Sequence, residues 1–117
     1  MKKRKSFTLV EIMIVVVIIA LLAAMAIPAF LEVRTRSQAS AIGNNLRQLA
    51  SGADQYFMMF GVSTVTSQLL IEGNAGVNSL VKTFKTVAGE SYPASITSGT
   101  NLTSGTATTG TITYVFQ

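Results

Sequence analysis

Glu11 is the residue in this sequence whose position most clearly calls for a chemical partner. It opens an uncharged run from Ile12 to Leu31 and follows Phe7 by four residues. A carboxylate in a membrane helix costs about 2.5–3.5 kcal/mol at the centre on insertion scales, and less near an interface. One candidate partner is an α-amino group, which a cut between Ser6 and Phe7 would create. On a helix, Phe7 and Glu11 share a face. The amine of one chain could then pair with Glu11 of a neighbouring copy shifted along the axis. Such a pair would neutralise two buried charges and fix the axial register. The alternative is that Glu11 snorkels to the headgroups from an ordinary anchor helix.

Little other chemistry is on offer. Histidine and cysteine are both absent, which removes disulfide frameworks, Cys/His metal sites, His bases and Cys nucleophiles. The remaining acids, Glu32, Asp54, Glu72 and Glu90, are scattered. They form neither an EF-hand-type loop nor a close carboxylate pair. No catalytic residue, metal site or cofactor is expected; a Ser-Lys or carboxylate mechanism would be needed, and no spacing suggests one.

The net charge is local as well. Lys2, Lys3, Arg4 and Lys5 are four of the nine basic residues, and the other five balance the five acids. The pI near 9.8 therefore belongs mostly to the first five residues, and direct nucleic-acid binding is not expected. A compact basic cluster before an apolar run is an orientation or targeting signal.

A transmembrane helix accounts for that run: twenty residues at about 1.5 Å each span about 30 Å, enough for a bilayer core. The basic cluster would stay in the cytoplasm and place everything after Leu31 outside it. A secretory signal peptide is the alternative, with an A-x-A site at Ala24-Met25-Ala26. Glu11 at the start of the apolar stretch and Pro28 just behind the cut both speak against it.

Pro28 removes one backbone hydrogen bond and predicts a kink near residues 24–28. Ala20, Ala23, Ala24 and Ala26 permit close helix–helix approach. Both features are also simply common in membrane helices. Beyond the apolar run, Ile42, Leu46, Leu49, Ala53, Tyr56 or Phe57, and Phe60 recur at spacings of three and four, the mark of an amphipathic helix. Glu32 and Arg36 form an i, i+4 pair on the polar side. Gly43 and Gly52 weaken the helix slightly, and Gly61 is its natural stop. One helix from about Phe7 to Phe60 is expected.

Residues 61–117 must then form a small head. Ser67–Glu72 predicts a short helical turn ended by Gly73-Asn74. Residues 77–87 fit a helix through Val77, Leu80, Val81 and Phe84, or a strand over Thr83–Val87. Ala94–Ser98 predicts a strand, and Thr111–Phe116 a clearer one. Gly99–Gly110, rich in Ser, Thr and Gly, predicts a flexible hairpin connection. The fold class is α+β: a long N-terminal helix, half transmembrane and half amphipathic, carrying a small antiparallel sheet. Asn101-Leu102-Thr103 matches the short glycosylation sequon. Arg34, Arg36 and Arg47 could form a basic stripe, or be solvated and paired with nearby acids.

The string Phe7-Thr8-Leu9-Val10-Glu11, after a short basic leader and before an apolar run to Ile27-Pro28, resembles the N-terminus of type IV prepilins and type II secretion pseudopilins. The resemblance covers about residues 2–36 and is carried by the combination of features. The family usually has Gly immediately before the cut, where this chain has Ser6. What the resemblance implies is a leader at 1–6 and a transmembrane, filament-core helix at 7–31. An amphipathic half at 32–60 would follow, with a pilin-like head at 61–117. Prepilin peptidase would cut between Ser6 and Phe7 and methylate Phe7. Phe7, Glu11 and Pro28 would serve assembly, and Lys2, Lys3, Arg4 and Lys5 orientation.

The partners implied are other copies in a helical homopolymer, the peptidase, the pilus assembly machinery and the inner membrane. The precursor would be single-pass with its head outside the cytoplasm, before joining a surface filament or periplasmic pseudopilus. A major pseudopilin is disfavoured, because the family's calcium site and its Asp-Pro-Trp-Gly-like segment have no counterpart here. The chain has no Trp, and no acidic residue after Glu90. A minor pseudopilin remains as an alternative, and a non-assembling membrane-anchored binding protein is another.

Overall fold

A run of residues without Gly or Pro favours helix from Leu9 onward, and in an apolar medium a helix is the only single-segment way to pair every backbone group. The computed structural model, which describes residues 3–73, 78–82 and 84–116, shows α1 over Leu9–Phe60, 52 residues with Pro28 inside. The chain divides by contact into two units, residues 1–34 and 35–117. In the first unit every large apolar side chain from Leu9 to Val33 is at least half exposed. This part of α1 is long and apolar enough to cross a membrane.

Within the second unit, α1 buries a single stripe. Ile42, Leu46, Leu49, Ala50 and Ala53 are fully buried, at spacings that keep them on one face. They pack with Val65, Leu70, Val81, Ile96 and Leu102 into one core. Tyr56 and Phe57 flank that core, half-buried. Phe60, expected on the stripe, is exposed at the helix end. Gly61 stops α1 as expected. Its φ is 65°, a left-handed conformation that glycine adopts without strain, and its N–H donates to the Phe57 C=O at 2.9 Å.

Short elements complete the unit: β1 (Thr64–Thr66), α2 (Ser67–Glu72), β2 (Ser95–Thr97), β3 (Leu102–Thr106) and β4 (Gly110–Tyr114). Instead of one sheet there are two antiparallel pairs, β1 with β2 and β3 with β4. Val65 faces Ile96 across the first, and both are buried. Leu102 faces Tyr114 and Ser104 faces Ile112 across the second. β1 and β3 were not expected, and β3 corrects the flexible connection over Gly99–Gly110. Its alternation of inward Leu102 and Ser104 with outward Thr103 gives one face to the core. Its turn is fixed by side chains, because Thr106 and Thr109 each accept the other's backbone N–H at 3.1 Å.

The expected helical turn at Ser67–Glu72 is α2, and its Gly73 N–H donates to the Leu69 C=O. The described residues between 78 and 87 form neither helix nor strand. There the Leu80 and Val81 N–H groups both donate to the Leu70 C=O at 3.0 Å, which ties the segment to α2. Lys2, Asn74, Val77 and Thr83, named above, lie outside the described residues.

A polar network runs through this apolar core. Asn45, buried on α1, donates from Nδ2 to the Lys85 C=O and to the Tyr92 hydroxyl, both at 2.9 Å. Tyr92 in turn donates to Glu90 Oε1 at 2.7 Å. The Glu90 carboxylate, itself buried, also accepts the N–H groups of Val87 and Ala88, the latter at 2.8 Å. Burial pushes the Glu90 carboxyl up. The bonds from Tyr92 and from the backbone N–H groups of Ala88, Glu90 and Val87 outweigh that and hold it at about 2. Burial, and then the bond to Glu90, push the Tyr92 phenol up to about 12.

Two expectations follow for the full chain in detergent micelles. Glu90 titrates lower in the folded state than its ordinary value of 4.5. Its stabilisation is therefore whole above about 4.5 and lost as pH falls toward 2. Glu90→Gln should flatten that acid decline in denaturation monitored by circular dichroism. Tyr92→Phe should shrink the decline and cost about 1–3 kcal/mol. An acid profile in Glu90→Gln matching the wild type would rule the assignment out.

The second expectation concerns two helical glycines. A Cβ on Gly52 would meet Val81 Cγ2 at 2.8 Å, whereas one on Gly43 would meet nothing within 4 Å. Gly43→Ala should stabilise by about 0.5–1 kcal/mol. Gly52→Ala should gain nothing, or lose about 1–3 kcal/mol to overpacking. Equal gains at both sites would contradict the close approach of Val81.

Candidate processing and assembly segment

Residues 3–8 form no regular element, and α1 begins at Leu9 rather than at Phe7. The start is fixed by a reciprocal pair. Thr8 Oγ1 accepts the Glu11 N–H at 3.3 Å, and Glu11 Oε2 accepts the Thr8 N–H at 2.8 Å. This is a capping box: each side chain satisfies a backbone donor that the first helical turn leaves without an intrahelical acceptor. The Ile12 N–H donates to the Thr8 C=O at 3.3 Å, which makes Thr8 the N-cap. A negative charge at Glu11 also sits favourably at the positive end of the helix dipole.

Thr8 is the residue that the sequence reading missed. The signal was present, since Thr8-Leu9-Val10-Glu11 has the S/T-x-x-E spacing that marks a helix start. Glu11 thus has a partner within its own chain. Phe7 lies outside the helix, two residues before its first residue, and is 81% exposed. The shared helix face expected for Phe7 and Glu11 does not describe the uncut chain. Among the described residues, Ser6 and Phe7 make no hydrogen bond, so the bond between them lies in a segment that the helix does not engage.

The other candidates are placed separately. Lys3, Arg4 and Lys5 are exposed and outside any element. Pro28 lies within α1, which is helical on both sides of it. Proline lacks the N–H that would bond to the Ala24 C=O. Ala20, Ala23, Ala24 and Ala26 are exposed in the same stretch. Among the described residues no group of three or more His, Cys, Asp or Glu could hold a metal ion.

The chain matches the family model described as the prokaryotic N-terminal methylation motif over residues 1–27. It is 44% identical over 55 residues to the type IV major pilin protein PilA of Myxococcus xanthus, covering 47% of this chain and 25% of that protein. It is 43% identical over 54 residues to a fimbrial protein of Pseudomonas aeruginosa, covering 46% of this chain and 35% of that one. The aligned stretch thus spans a third or so of these curated relatives at most. No solved structure matches the chain. The methylation motif, the pilin and fimbrial relatives, and the long N-terminal helix joined to small antiparallel sheets together support a type IV pilin-like protein.

Proposed function

We propose that this chain is a structural subunit of a type IV pilus or related filament. It enters the inner membrane as a single-pass precursor, with the basic leader in the cytoplasm and residues after Leu31 outside. Prepilin peptidase removes residues 1–6 and methylates Phe7, and the assembly machinery then polymerises the mature chain into a helical homopolymer. The N-terminal methylation motif and the pilin and fimbrial relatives support this reading.

The observation that carries it is the surface of α1 from Ile12 to Leu31, uncharged on all sides and with every large apolar side chain at least half exposed. An isolated helix of this kind has to be covered by lipid or by protein. A precursor in the bilayer and a subunit inside a filament provide those two covers in turn. Small side chains before Pro28 suit close packing of one such helix on another. Glu11 is then the polar mark that sets the register. Its carboxylate accepts the α-amine of Phe7 from a neighbouring copy, a charge pair whose worth rises as water is excluded.

The mass of the membrane-extracted mature chain should lack residues 1–6 and carry one added methyl group on Phe7. Electron microscopy of sheared surface filaments should show this chain in polymers. Glu11→Gln should be processed normally yet give filaments reduced about tenfold or more, the effect of losing ~1.4 kcal/mol at each contact. A chain that keeps residues 1–6 and forms no high-mass assembly would point to a membrane-anchored binding protein. Undiminished filaments from Glu11→Gln would dismiss the amine pairing.

A further inference from the structure

The capping box does more than begin a helix, because of what it leaves outside. We infer that Thr8 is a positioning residue for cleavage: by fixing the helix start at Leu9, it keeps the Ser6–Phe7 bond outside the helix, where a peptidase cleft can take it. This inference rests on the processing proposed above.

The cleavage itself is a hydrolysis. The oxygen of water joins the Ser6 carbonyl carbon, the C–N bond to Phe7 breaks, and both hydrogens of the water end on the Phe7 nitrogen as the ammonium group forms. The Ser6 carbonyl must therefore be open to attack. In the structure Thr8 supplies the first carbonyl of the helical ladder, accepting the Ile12 N–H. Among the described residues, neither Ser6 nor Phe7 makes a hydrogen bond.

Without the Thr8 hydroxyl the helix has a nearby alternative start. Ser6 lies two residues upstream and is itself a favoured N-cap residue. A helix starting there would run from Phe7, and the Ser6 C=O would accept the Val10 N–H. In an apolar medium, donors left unpaired by the lost cap are costly, so extension upstream is favoured over fraying. The scissile carbonyl would then be drawn into the first turn. Glu11 is the other half of the device, but its proposed part in assembly makes it a poor single probe. Thr8 separates the two.

Substitutions at Thr8 that distinguish capping from shape provide the test, using the full-length precursor in detergent micelles with the purified peptidase. Thr8→Ser and Thr8→Asn keep a capping oxygen, and Asn does so with a different shape. Thr8→Val keeps the shape without the cap, and Thr8→Ala keeps neither. Cleavage should follow capping: Ser and Asn near the wild-type rate, Val and Ala slower by about fivefold. Carbonyl and Cα chemical shifts of Ser6 and Phe7 in the uncut chain should move toward helical values in Val and Ala only. A Val variant cut as fast as wild type, or an Asn variant as slow as Val, would overturn the inference. So would slowed cleavage with unmoved shifts, which would assign Thr8 to a contact with the peptidase. If the wild-type precursor is not cut after Ser6, the processing proposal itself fails, and the shifts still report whether Thr8 sets the helix start.

Discussion

The constraint on which this chain depends is that a backbone surrounded by apolar groups must satisfy its own hydrogen bonds. Between Ile12 and Leu31 no side chain carries charge, and each unpaired N–H or C=O in hydrocarbon costs several kcal/mol. Helix is the response, and it places the remaining cost at the ends, where the first turn has free donors. Thr8 and Glu11 meet that cost at the start of α1. At Phe60 the helix ends differently, on a left-handed glycine whose N–H returns to Phe57. The two ends differ because one precedes an apolar run and the other a turn into β1.

The second unit lacks any covalent staple and draws its specificity from a polar network inside an apolar core. Leu, Ile, Val and Ala side chains pack without direction, whereas Asn45 can satisfy both amide hydrogens only if Lys85 and Tyr92 stand where they do. Glu90 extends the demand, because its carboxylate is stable in that position only with the Tyr92 hydroxyl and the Val87 and Ala88 N–H groups pointing at it. The stretch from Lys85 to Tyr92 is thereby tied to α1. Buried networks of this kind rigidify when every member is satisfied, and the described residues contain no buried side-chain polar atom without a partner.

What the sequence revealed and what it concealed divide along physical lines. Period and punctuation were legible: the stripe from Ile42 to Ala53, the stop at Gly61, and the short helix at Ser67–Glu72 all follow from local chemistry. β4 was visible because Thr111, Ile112, Thr113 and Tyr114 are β-branched or aromatic. β3 was not, because Leu102-Thr103-Ser104-Gly105-Thr106 has one large apolar residue, and its pairing is supplied by β4 across a turn that two threonine hydroxyls close. Glu90 and Asn45 were invisible for a related reason. Nothing local marks two residues that meet through Tyr92 from positions far apart in the chain. Within the candidate segment the leader, Phe7 and Glu11 stood out by charge and spacing. Thr8 did not, since a hydroxyl in an apolar string draws attention only once its partner three residues on is read as a cap.

That cap also bears on how Glu11 could serve a filament. An ionised carboxylate has two oxygens and about four lone-pair sites, and the Thr8 N–H occupies one of them, on Oε2. Oε1 is not used by that bond. An α-amine from a neighbouring copy could therefore join the shell of Glu11 without displacing Thr8, and its positive charge would strengthen the carboxylate as an acceptor for both donors. Capping and inter-subunit pairing are then cumulative rather than competing. The precursor would hold Glu11 in the rotamer that assembly needs, so that less side-chain freedom is lost when the copies meet. On this argument the residue after Phe7 would contribute twice, once by leaving the proposed scissile bond outside the helix and again by presenting a pre-aimed carboxylate to the amine which that cleavage would create.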